Sequence, residues 1–199
     1  MKLGPSNDLD FTFDLAFVRA LDADLEDLGD ENFKELLTGH MIWEKYLSHW
    51  INIVRKDVKE LCPEVVRRTS SLSMGLQFTN DITISEINNL WRNVNKSTDV
   101  LSFPILDKDI ILPELECVEL GDIIVSVTTA KRQAQQMNHC LAFELSWLVT
   151  HGLLHLLGWD HPTSSDLEKM LNFQQQLIDN KPDLDNLIIK DHTNISSAI

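Results

Sequence analysis

Residues 141–161 read LAFELSWLVTHGLLHLLGWDH, and the reading of this stretch decides the fold. Leu141 to Leu157 is the longest apolar run, but Glu144, Ser146, Thr150, His151 and His155 interrupt it. It also falls short of the roughly 20 apolar residues that a membrane span needs. The run therefore reads as a buried helix around which the rest of the chain must pack.

Working outward, Ser164 to Ile178 continues as a further helix, and the residues from Thr128 form one that precedes it, with a break near Asn138. Asp122–Val127 and Val100–Ile105 are short β-branched or aromatic runs bounded by Gly121, Pro104 and Thr98-Asp99, the pattern of strands. An acidic loop separates them. Ile82 to Trp91 has helical periodicity, and Leu72 to Phe78 alternates as a half-buried strand does. Leu36 to Leu61 places Ile42, Tyr46, Trp50, Ile53, Val54, Val58 and Leu61 at helical spacing and stops at Pro63. An early strand runs over about Leu9 to Val18, and acid-rich residues 20–32 form a loop or insertion after it. The order β, α, β, α, β, β, α, α, α predicts an α+β fold: a small mixed sheet of about four strands, packed with five or so helices around a central buried helix.

The 199 residues suffice for a single domain with a real core (1–199), carrying the acidic insertion near 20–32 and a loose tail at 182–199. No basic stretch followed by an apolar one opens the sequence, so a cytoplasmic protein is expected. Cys62, Cys117 and Cys140 are odd in number and form no C-x-x-C pair, which argues against both a disulfide framework and a thiolate zinc site. The net charge of −14 speaks against indiscriminate nucleic-acid binding. The excess is uneven, since residues 1–35 hold ten acids against three bases while residues 36–150 hold fourteen against eleven. A local basic surface from Arg55, Lys56, Lys59, Arg67, Arg68, Arg92, Lys96, Lys131 and Arg132 is compatible with that distribution.

His151 and His155 are four apart, which puts two imidazoles on one helix face a turn apart. Gly158 can take the left-handed backbone that ends a helix and turn the chain back, bringing His161 to the same point. A lone histidine pair is usually structural, whereas three with this intervening glycine form a donor set for one Zn2+ per chain. Three imidazoles leave a fourth tetrahedral position open, the arrangement of catalytic rather than structural zinc, and zinc brings the pKa of a water to about 7. His40, His49, His139 and His192 fit no such geometry and read as surface or capping residues. The spacing is also that of metzincin peptidases, but Gly152 stands where those enzymes carry their general-base glutamate. Glu144, two turns earlier, reads as a core-edge or helix-pairing carboxylate rather than a replacement.

HGLLHLLGWDH at 151–161 resembles the HGxLHLxGyDH signature of the YbeY family of bacterial rRNA-processing endoribonucleases, with Trp159 in place of the usual Tyr. NLWRNVNKSTDVLSFP at 89–104, with Ser97 where Pro is common, and LGDII at 120–124, followed by AKRQAQ at 130–135, resemble that family's other segments in order and spacing. The likeness covers about residues 70–180. It implies metal-dependent cleavage of single-stranded RNA in maturation of the 16S rRNA 3′ end and in ribosome quality control. It transfers the zinc ligands to His151, His155 and His161 and the family's important arginine to Arg92, whose guanidinium suits a phosphate. The partners it implies are single-stranded rRNA and ribosomal particles, with ribosomal proteins or assembly GTPases, and no membrane.

Asp160 and Asp122 fit two roles equally, hydrogen bonding to ligand imidazoles or forming turns. Trp159 reads as packing beside a turn, with base stacking as the other option. Thr98 and Asp99 cap or position the strand that follows them. Two further functions stay open at this level. One is a ribosome assembly factor whose zinc is mainly structural, and the other is another zinc hydrolase such as a peptidase, which the missing glutamate argues against.

Overall fold

The computed structural model describes residues 12–19, 37, 39–57, 62–106 and 117–180. The acidic stretch at 20–32, the tail at 182–199, His192 and the first residues of the early strand lie outside these residues.

Four strands form one mixed sheet: β1 (Thr12–Val18), β2 (Ser71–Thr79), β3 (Val100–Pro104) and β4 (Val118–Ser126), in the spatial order β1-β2-β4-β3. β1 and β2 pair in parallel, as do β2 and β4, and β3 closes one edge antiparallel to β4. The described helices are α1 (His40–Asp57), α2 (Glu64–Arg68), α3 (Asp81–Arg92), α4 (Val127–Met137), α5 (Leu141–Leu156) and α6 (Ser164–Asp179). The α+β reading holds.

Two boundaries differ from the sequence reading. Gly121 is not the start of a strand but lies within β4, at φ 118, where two β4 residues (Leu120 and Gly121) stand opposite one on β2 (Met74). It is a β-bulge on a glycine, and a Cβ there would stand 2.1 Å from the Phe103 carbonyl oxygen of β3. Val127, read as the last strand residue, opens α4 instead, because Ser126 caps that helix by accepting from the Thr129 amide. The short α2 was not foreseen: Pro63, read as a stop, stands at its N-cap, a place proline tolerates because it has no amide hydrogen to leave unpaired.

Alternation along β2 buries Leu72, Met74, Leu76 and Phe78, and these join the main core with Ile123 and Val125 of β4 and Trp43, Tyr46, Trp50 and Val54 of α1. A smaller cluster, Ile84 with Leu101 and Ile124, seats α3. α5 crosses the main core and packs on β3, β4, α1, α4 and α6. Its Leu145, Leu148, Val149, Leu153, Leu154 and Leu156 are all buried, each worth about 1.5–3 kcal/mol relative to exposure. One stripe of α5 stays half-buried, namely Phe143, Trp147, His151 and His155 at successive i+4 positions. Apart from Ser146 the rest of α5 is buried, which leaves this stripe as the face on which chemistry can meet solvent.

No helix among the described residues is long and apolar enough to cross a membrane. Cys62, Cys117 and Cys140 are free thiols.

Candidate metal centre

α5 ends in a Schellman turn: the Trp159 amide donates to the Leu154 carbonyl at 2.9 Å and the Gly158 amide to that of His155 at 2.9 Å, with Gly158 at φ 84. That reversal brings His161 back beside the helix. The ring centroids of His151, His155 and His161 lie 4.7, 5.2 and 5.7 Å apart, and one nitrogen from each falls within 4.8 Å of the others. No other cluster of this kind occurs among the described residues.

The hydrogen bonds orient two of the rings. His155 donates from Nδ1 to the Trp159 carbonyl oxygen at 3.0 Å, an oxygen aimed at it by the Schellman turn. His151 donates from Nδ1 to Oε1 of Gln174 at 3.1 Å. A neutral imidazole has one N–H, so using it at Nδ1 leaves a lone pair on Nε2. The two Nε2 atoms face each other at 3.2 Å. Two ligand atoms each 2.0–2.1 Å from a tetrahedral zinc ion would stand about 3.3–3.4 Å apart, so the observed separation suits a shared cation and is unfavourable without one. Burial holds both imidazoles below the ordinary histidine pKa. The positive form of a neighbouring ring adds to this, His161 for His151 and chiefly His151 for His155. Neutral imidazole is the form that ligates metal.

Gly152 lies between the two histidines and faces the sheet. A Cβ there would come within 2.8 Å of Ile123 Cγ2 and 3.1 Å of Ser102 Oγ. The place where a metzincin carries its base therefore has no room for a side chain.

Asp160 and Asp122 make no hydrogen bond to these rings. Asp160 accepts from the His161 amide at 2.8 Å, the turn-forming role, and the Asp122 carboxylate lies over Gly75 on the sheet. The acceptors that hold the imidazoles are the Trp159 carbonyl and Gln174, neither of which the sequence reading singled out for this task. Trp159 is packing: its ring stacks on Phe173 at 5.0 Å and 4°.

Asp99 stands at the start of β3, accepting from the Val100 amide at 2.8 Å, from Thr98 Oγ1 at 3.1 Å and from Gln133 Nε2 at 2.9 Å. Its charge acts on His151, which places the 98–99 corner near the histidines. Arg92 occupies the last turn of α3 and is exposed, and Asn93 ends that helix in the left-handed conformation at φ 56. Neighbouring Trp91 leans on Phe103 with centroids 5.6 Å apart. Of the remaining histidines, His40 bonds the Leu15 carbonyl oxygen at 2.8 Å, His49 the Asn180 carbonyl oxygen at 2.5 Å, and His139 pairs with the buried carboxylate of Glu144. Glu144 is thereby occupied away from the three-histidine cluster.

The family model described as Endoribonuclease YbeY matches residues 41–181. A Prochlorococcus marinus (strain MIT 9313) protein named Endoribonuclease YbeY is 54% identical over 170 residues, covering 85% of this chain and 91% of that one. Proteins of the same name from Synechococcus sp. strains CC9902 and CC9311 are 53% and 48% identical, over 72% and 84% of this chain and 79% and 94% of theirs. A solution structure from Thermotoga maritima aligns at TM-score 0.43 and 21% identity, over 82% of this chain and 88% of that one. On the extent of the family match and the identity to these relatives, the chain belongs to the YbeY family.

Proposed function

We propose that this protein is a metal-dependent endoribonuclease that cuts single-stranded RNA during rRNA processing, at the 16S rRNA 3′ end, and in ribosome quality control. Its relatives' shared name supports the reaction class. The observation that carries the metal reading is the pair of Nε2 lone pairs held face to face at 3.2 Å, with His161 alongside. His151, His155 and His161 hold one Zn2+, which when bound supplies Lewis-acid chemistry, acidifying a water and withdrawing charge from a phosphoryl oxygen. The protein's own groups do the rest. The Trp159 carbonyl and Gln174 hold the imidazoles in the ligating tautomer. Arg92 binds the scissile phosphate through its guanidinium and offsets the negative charge that grows on it.

Elemental analysis of purified protein, beside cleavage of single-stranded RNA by wild type, His155→Ala and Arg92→Glu in metal-depleted and zinc-restored buffer, tests this. One equivalent of metal, with cleavage lost in both folded variants, is the expected result. A wild-type protein that carries no metal, or that binds metal without cleaving RNA, overturns it.

A further inference from the structure

Gln174 is fully buried in α6, on the stripe that also carries Met170, Leu177 and Ile178. An amide in such a position costs free energy unless it is hydrogen-bonded, and a leucine would serve packing better. Both of its ends are engaged. Nε2 donates to the Trp147 carbonyl oxygen of α5 at 2.8 Å, and Oε1 accepts from Nδ1 of His151 at 3.1 Å.

These two bonds have a direction. A main-chain carbonyl carries no proton, so it faces only the NH2 end of the amide, and the oxygen end must then face His151. An oxygen there accepts only from an N–H, which sets the proton of His151 on Nδ1 and the lone pair on Nε2, the atom 3.2 Å from His155 Nε2. The orientation thus starts at the Trp147 carbonyl and passes through Gln174 to the histidine.

We propose that Gln174 is a positioning residue of the metal centre, fixing the tautomer and ring plane of His151. The inference rests on the metal reading above. Its neighbour Phe173 works beside it, since its stack on Trp159 steadies the loop whose carbonyl performs the same task for His155.

The test uses the full chain, labelled with 15N at histidine. In metal-free wild type, imidazole 15N shifts are expected to show His151 protonated at Nδ1. Zinc affinity is then measured by competition with a chromophoric chelator, with circular dichroism as the check on folding. Gln174→Met, close in shape but lacking the acceptor, is expected to bind zinc about 10–100-fold more weakly. Gln174→Glu keeps an oxygen toward His151 and loses the amide donor to Trp147, so it should hold zinc within a few-fold of wild type even if its melting temperature drops. Equal zinc affinity in Gln174→Met and wild type, or an Nε2-protonated His151 in metal-free wild type, overturns the proposal. The tautomer measurement needs no variant to fold. Failure of wild type to bind zinc at all would overturn the metal reading instead, while the metal-free tautomer still decides the role of Gln174.

Discussion

Gly152→Ala sets two effects of opposite sign against each other. Alanine in a helix interior is favoured over glycine by about 1 kcal/mol. Against that, the new methyl would stand 2.8 Å from Ile123 Cγ2 and 3.2 Å from Ile123 Cδ1. Carbon atoms pack best at about 3.5–4.0 Å, so α5 and β4 must part by about 0.7 Å at this point. Ile123 is fully buried on a strand flanked on both sides, and Cγ2 sits on its stiff β-branched carbon, so it yields little. Overpacking of this kind costs about 1–3 kcal/mol, which exceeds the propensity gain and leaves a net loss of about 1 kcal/mol. For a chain of this size the melting temperature should fall by about 2–4 °C. Because the helix has to move, the histidines on either side of residue 152 move with it, and zinc affinity should fall as well. Thermal unfolding of metal-free protein by circular dichroism and a chelator competition assay measure the two effects. A melting temperature raised by a few degrees with zinc affinity unchanged would refute the packing argument.

Zinc at a hundred times its dissociation constant should add about 2.7 kcal/mol to stability. At about 2–4 °C per kcal/mol this gives a rise in melting temperature of about 5–11 °C, absent in His151→Ala; no rise in wild type would contradict the site. Asp81 joins the start of α3 to α4, accepting from Ser126 Oγ at 2.5 Å, Thr129 Oγ1 at 2.6 Å and Arg132 at 3.4 Å. Burial pushes its carboxyl up, but these donors and the Arg132 charge outweigh it and hold the pKa below the usual carboxylate range. Its folded value thus lies below its unfolded one, so its contribution is complete above about pH 4 and is lost as pH falls through the folded value. Denaturant titrations of wild type and Asp81→Asn should therefore differ most at neutral pH and converge in acid, and a constant gap would refute the assignment. Burial raises the Cys62 thiol to about 11 against the opposing charges of Arg67 and Arg55. Iodoacetamide at pH 8.5 should alkylate exposed Cys117 and spare Cys62 until the protein unfolds, as peptide mass mapping would show; equal labelling in native protein would refute it.

The elements legible in the sequence were those whose pattern is local. The apolar run of α5 names a buried helix without reference to anything else, and Gly158 and Asn138 announce turns because left-handed backbone at those points is a property of one residue. The three histidines were legible for the same reason: helical spacing and one glycine suffice to bring them together. The bulge at Gly121 looks like a boundary in the sequence because a glycine that ends a strand and one that kinks it differ only once the partner strand is in place. Gln174 was missed because its partner is 23 residues away on another helix. A signal existed: Met170, Gln174, Leu177 and Ile178 share one helical face, and a lone amide on an otherwise apolar face calls for a partner. Asp160 and Asp122 are plausible from sequence because carboxylates are common partners of ligand histidines, yet a carbonyl presented by a tight turn serves as well and has no signature in the side chains.

The sheet and the first four described helices are encoded by Met137, while α5 and α6 follow in the last part of the described chain. Proteins are synthesised from the N-terminus, so the scaffold emerges before the centre it supports. A polypeptide released just after residue 165 would own all three histidines but neither Phe173 nor Gln174, so His151 would lack the acceptor that sets its proton and the Trp159 loop that serves His155 would lose its stacking partner. Timing is thus written into the order of the elements. On the metal reading proposed above, a chain laid out in this way should hold zinc firmly only once α6, the last of the described helices, has docked on α5.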